Sequence, residues 1–170
     1  MFESFLKSLQ LTNKFLTEII MIIAMIIVSI MVLALAGSAL TRYVSGIGFN
    51  WFIELPPALV SWLVFPLLGP LLILEKHIEV DFLKTKLSEQ SYVLIKLFVG
   101  ITAFISSIIF FKAGLEATLL FYNLGQMMEL EIDIPIWIMF LSFPVGFFIL
   151  CLFSLQMILE NYKKFLRRKV

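Results

Sequence analysis

Four long apolar stretches, separated by short polar ones, set the frame of this chain. Ile19 to Leu40 carries no charge and is bounded by Glu18 and Arg42. Leu55 to Leu74 is uncharged between Glu54 and the cluster Glu75, Lys76, His77, Glu79 and Asp81. A third run extends from Leu97 to Tyr122, interrupted only by Lys112 and Glu116, and a fourth, Ile134 to Leu159, is uncharged throughout. At a rise of about 1.5 Å per residue each reaches across a hydrocarbon layer of roughly 30 Å as a helix. The bounding charges fix both ends of a span, because a charge at the centre of a membrane helix costs roughly 2.5–3.5 kcal/mol on insertion scales. The pattern predicts an all-α integral membrane protein with four transmembrane helices.

Ahead of the first span, Phe2, Phe5, Leu6 and Leu9 recur at helical spacing while Glu3, Ser4, Lys7, Ser8 and Gln10 fill the other face. Residues 1–16 therefore read as an N-terminal amphipathic helix lying in the membrane interface, the alternative being a frayed terminus. The expected spans are 17–41, 51–75, 93–123 and 134–160, with an interfacial connection over 77–92 and a basic tail over 161–170. A signal peptide competes for the first run, but that run is longer than the usual apolar region of one. Ala34, Gly37 and Ser38 form a small-residue patch that lets another helix come close. Pro56, Pro57, Pro66 and Pro70 interrupt the second span, each removing a backbone donor and favouring a kink, so that helix is expected to have protein on at least one side.

Composition sharpens this reading. The 170 residues are 61% hydrophobic and 15% charged, with a mean hydropathy of +1.04, a balance that a water-soluble domain of this size does not need. A net charge of +1 argues against a nucleic-acid surface and leaves membrane lipid and other membrane proteins as partners. Placing both termini and the loop after His77 on one side collects eleven of the thirteen Lys and Arg residues there. By the positive-inside rule that side is cytoplasmic, an N-in/C-in topology, and Trp51 and Trp137 then fall near the outer interface.

Candidate chemistry is sparse. One histidine and one cysteine, Cys151, offer no metal cluster, haem pair or internal disulfide. No nucleophile stands beside a base, and no glycine loop cradles phosphate, so the chain reads as no enzyme and needs no cofactor of its own. Glu54, at the mouth of the second span, either belongs to an ion or proton path or pairs with Arg42 to fix the hairpin. Lys112 and Glu116 are one turn apart and read first as a structural pair. His77 and Asp81 share a helical spacing that suits an interfacial cap or a subunit contact.

An ordered set of residues then adds a family likeness. Arg42-Tyr43, Trp51, Glu54-Leu55, Trp62, Gly69 and His77-Ile78-Glu79-Val80-Asp81, followed by Ile134-Pro135-Ile136-Trp137 and Pro144-Val145-Gly146-Phe147, resemble the small membrane subunit of the tripartite ATP-independent periplasmic (TRAP) transporters. Lys76, where a glycine commonly precedes the histidine, and the Pro56-Pro57 pair depart from that pattern. The resemblance implies a multi-pass protein of the bacterial inner membrane whose partners are a large membrane subunit and a periplasmic substrate-binding protein. The complex would import an organic acid, of the sialic acid or C4-dicarboxylate type, with sodium ions. Substrate and sodium sites are then expected in the large subunit, and this chain acts as a scaffold. Arg42, Tyr43, Trp51, Glu54, Trp62, Gly69, His77, Asp81, Lys112, Glu116, Pro135, Trp137, Pro144 and Gly146 are its structural or subunit-interface candidates. The acidic outer loop with Glu129, Glu131 and Asp133 either docks the binding protein or is merely solvated. From other classes come a homodimeric, four-helix, proton-coupled exporter using Glu54, and an assembly factor without transport partners.

Overall fold

In a computed structural model, residues 2–47, 50–74, 89–128 and 133–167 are described, with side chains left out at 2, 50, 51, 53, 89, 90 and 167. They form four helices, α1 (Phe2–Ser45), α2 (Asn50–Ile73), α3 (Glu89–Leu124) and α4 (Ile136–Arg167). All four are long and apolar enough to cross a membrane. The chain is an all-α, multi-pass membrane protein.

Helix α1 departs from expectation. An amphipathic helix over 1–16 and a span over 17–41 were expected as separate elements, whereas α1 runs unbroken for 44 residues, about 66 Å at the usual helical rise. Its buried residues explain the continuity. Leu6, Leu9, Asn13, Ile20, Ile27, Ala34 and Ser38 are all buried, a stripe of three- and four-residue steps that keeps one face on its neighbours from end to end. The expected interfacial connection is divided: residues 77–88 lie outside the described residues, and 89–92 form the first turn of α3. The expected tail begins as helix, since α4 continues to Arg167.

Two glycines stop helices. Gly46 follows α1 with φ +71°, and Gly125 follows α3 with φ +61°. An added Cβ would meet nothing within 4 Å at either site, so the left-handed backbone alone selects glycine there. Gly46 N–H closes α1 by donating to Arg42 O at 3.1 Å. Beyond Gly125 the chain turns back as a short ladder, Met128 N–H donating to Ile134 O at 2.8 Å and Ile136 N–H to Gln126 O at 3.1 Å. Helix α2 includes all four of its prolines.

The helices pack in the order α3, α4, α2, α1. Among the described residues α3 packs on α4 alone, α2 lies between α4 and α1, and α1 also touches α4. Helix α4 is thus the central strut. Its crossing with α2 is close: a Cβ on Gly146 would lie 2.5 Å from the backbone C and O of Phe65, and one on Gly69 would lie 2.8 Å from Ile149 and 2.9 Å from Phe153. Its crossing with α3 uses small residues seven apart, Gly100, Ser107 and Gly114, all buried. A Cβ on Gly114 would lie 3.0 Å from Phe143 and 3.1 Å from Pro144. Aromatic rings fill the flanks, with Phe65 3.9 Å from Phe143 and Phe121 4.2 Å from Phe140, centroid to centroid.

Candidate functional site

The chemistry of this molecule lies on its faces and at one end. Where the N-terminal half of α1 meets the C-terminal end of α4, a ladder of polar side chains continues the buried apolar stripe. Asn13, 2% exposed, donates from Nδ2 to Gln156 Oε1 at 2.7 Å and to Leu152 O at 3.2 Å. Gln156 Nε2 and Gln10 Nε2 both donate to Glu160 Oε1, at 2.7 and 2.8 Å. Lys163 and Glu3 close the ladder as an ion pair. An open cleft of about 540 Å³ beside it is lined by Leu6, Lys7, Gln10, Lys163 and Lys164 among others. A buried amide bonded across two helices sets their register, since sliding either helix leaves both partners unsatisfied.

This ladder was missed in the sequence. Asn13 is the one polar member of the series Leu6, Asn13, Ile20, Ile27 and Ala34, spaced by seven. That spacing becomes visible only when the terminal helix and the first span are read as one element.

The opposite end is built differently. Trp62 Nε1 donates to Ile138 O at 3.0 Å, tying α2 to the first turn of α4. Tyr122 and Trp137 meet edge to face at 5.6 Å, joining the last turn of α3 to the start of α4. Both rings suit an interfacial depth, with an apolar body and a polar tip.

The remaining sequence candidates divide into three groups. Gly69, Pro144 and Gly146 are buried in the crossings of α4, and Pro135 pairs with Met127 where the chain enters that helix. Glu54 is half-buried on α2, while Arg42, Tyr43 and Asp133 are exposed, Tyr43 by 90%. His77, Asp81, Glu129, Glu131 and the side chain of Trp51 lie outside the described residues. Among the described residues no group of three or more His, Cys, Asp or Glu side chains could hold a metal ion.

Lys112 and Glu116 stand apart. They form an i, i+4 pair at 4.0 Å with side chains 82% and 67% exposed. Around them the outward face of α3 is apolar, with Ile101, Ile105, Ile108, Leu115 and Leu119 all exposed. The outward face of α1, with Ile22, Met25, Val28, Val32 and Leu35 exposed, has no charge between Ile19 and Thr41. One face of the molecule is therefore uncharged and the other carries an ion pair in its middle.

The sequence model of the tripartite ATP-independent periplasmic transporters, DctQ component, matches residues 31–164, well over half of the chain. Comparison with curated proteins gives no significant match, and neither does comparison with solved structures.

Proposed function

The chain belongs to the DctQ family, the small membrane component of tripartite ATP-independent periplasmic transporters, and from that premise we propose that it is a scaffold for the large transport subunit. It spans the bacterial inner membrane with both termini in the cytoplasm, as the distribution of lysine and arginine favours. It holds the static part of the large subunit at fixed depth and tilt. The observation that carries this reading is the helix order α3, α4, α2, α1. Among the described residues α3 reaches only α4, and α2 and α1 pack beyond it on the other side, an arrangement unlike the broken-helix core at the midplane of a secondary transporter. Transport of the organic acid, a sialic acid or C4-dicarboxylate, and its coupling to sodium are accordingly assigned to the large subunit.

The exposed Asp133, with Glu129 and Glu131 nearby in sequence, is assigned to docking of the periplasmic binding protein. Exposed charge pairs are worth only about 0–1 kcal/mol each, so the loop would steer encounter more than hold the complex. Reversing the three charges should shift the dependence of transport on binding-protein concentration. An unchanged dependence refutes the docking role.

Recovery of this chain from its native membranes in mild detergent, through a C-terminal tag and with intact masses of the companions, tests the scaffold reading. A much larger polytopic subunit in equal amount is expected. Recovery of the chain only as a dimer of itself refutes it.

A further inference from the structure

We infer that the outward face of α3, centred on Lys112 and Glu116, is covered within the membrane by a transmembrane helix of another protein, whereas the outward face of α1 is left to lipid. The argument is one of depth and chemistry. Gly114, between the two charged residues in sequence, packs against Phe143 and Pro144 of α4. The uncharged run that contains α4's span, Ile134 to Leu159, has its middle at Gly146 and Phe147. The pair therefore lies close to the centre of the bilayer. A second measure agrees, since Lys112 is ten residues before Tyr122, about 15 Å along the helix and roughly half the hydrocarbon thickness.

Nothing among the described residues covers the pair at that depth. Among the described residues α3 packs on α4 alone, and Gly100, Ser107 and Gly114 mark the face it uses. Lys112 and Glu116 are on the opposite face, beside Ile108 and Leu119. The lysine has no short route to water, because helical side chains lean toward the N-terminus, away from the nearer interface marked by Tyr122. Hydrocarbon gives an ion pair no hydrogen-bonding partners, and pairing of the two charges leaves the remaining ammonium protons and carboxylate lone pairs unsatisfied. A protein surface can supply them.

The occupant is therefore a membrane-spanning helix that is apolar along its length and presents polar hydrogen-bonding groups at mid-depth. Beside the pair, an open, wholly apolar groove of about 520 Å³ between α3 and α4, lined by Phe111, Leu115, Leu119, Pro144 and Phe148 among others, is shaped for side chains of such a helix. Resting on the scaffold reading above, that helix belongs to the large transport subunit.

The test is photo-crosslinking in native membranes that contain the whole complex. A benzophenone amino acid is placed singly at Ile108, Leu115 or Leu119 on α3, and at Val28, Val32 or Leu35 on α1. All six positions are exposed, so the probe disturbs no internal packing, and C-terminal pull-down of the same samples monitors assembly. The expected result is a crosslink to the large subunit from the α3 positions and lipid adducts only from α1. Lipid adducts alone from α3, with the large subunit still co-purifying, overturn the inference and leave the scaffold reading intact. Equal labelling from both helices, or crosslinks from α3 to a second copy of this chain, also overturn it. Failure of any large subunit to co-purify overturns the scaffold reading itself. As a second measurement, Lys112→Leu, which leaves Glu116 without its partner, should lower recovery of the large subunit about tenfold or more while Lys112→Arg preserves it. Equal recovery with both variants counts against the inference.

Discussion

Gly146→Ala puts one methyl group where α2 and α4 cross most closely. The new Cβ would lie 2.5 Å from the carbonyl carbon, carbonyl oxygen and Cβ of Phe65. Ordinary contact is reached near 3.5 Å, so the two helices must part by about 1 Å locally. Phe65 cannot yield by a rotamer change, because two of the three obstructing atoms are backbone. The parting would loosen the rings on either side, Phe65 against Phe143 at 3.9 Å and against Phe147 at 5.9 Å. Overpacking by a methylene typically costs about 1–3 kcal/mol, and a backbone obstacle places this substitution at the upper end. For a chain of this size that corresponds to a fall in Tm of roughly 6–12 °C. Cys151, the sole cysteine, is half-buried on α4, so a thiol-reactive dye reports unfolding of the central helix in detergent. Gly100→Ala is the internal comparison, since its Cβ would meet first the side-chain atom Ile158 Cγ1, at 3.0 Å, which can move. Equal Tm values for Gly146→Ala and the parent chain, or a larger fall for Gly100→Ala, would refute the packing argument.

The polar ladder gives a double-mutant cycle: Asn13→Ala and Gln156→Ala should show a coupling of about 0.6–1.7 kcal/mol, read from the same thiol-dye unfolding, and strict additivity would count against a direct bond. Glu3→Gln, by contrast, should change stability by less than about 1 kcal/mol and lose even that effect in high salt, because Glu3 is exposed where it meets Lys163. For topology, alkaline phosphatase fused after Gln126 should be active and the same enzyme fused after Val170 inactive; the reverse would invert the assigned orientation.

The four spans were legible because hydrophobic length bounded by charge is a one-dimensional signal, and Glu18, Arg42, Glu54 and Glu160 stand close to its limits. The unity of α1 was less so. Lys14 and Glu18 mark an end of hydrocarbon but not an end of helix, and no glycine or proline precedes Gly37 in the chain. The small-residue face of α3 was written in the sequence at a spacing of seven, whereas Ala34 and Ser38 were found at a spacing of four. On α2 the prolines favour a kink, and Pro56, Pro66 and Pro70 are buried within one helix that runs from Asn50 to Ile73. The pairing of Lys112 with Glu116 could be read from i, i+4 spacing. Which way it faces depends on where α4 packs, and no local pattern contains that.

The depth of these elements gives α1 and α4 a second role beyond spanning. Ile20 packs in one cluster with Ile149 and Phe153, so the charged Glu18 is level with α4 about four turns past its first residue, Ile136. From there both helices run on together, α1 toward Phe2 and α4 beyond the end of its uncharged run at Leu159 to Arg167. Asn13, Gln156, Gln10 and Glu160 join them along that extension. Bonds among these amides and one carboxylate give the buried Asn13 and Gln156 partners across the two helices that apolar packing alone would not supply. The ladder ties the N-terminal turns of α1 to the central strut, with Lys7, Lys14 and Lys164 exposed at that end. A lone row of helices could tilt freely in the bilayer. On the scaffold reading proposed above, a row tied together at this end by α1 and α4, and covered at mid-depth along α3, would keep a defined tilt, the mechanical property such a scaffold requires.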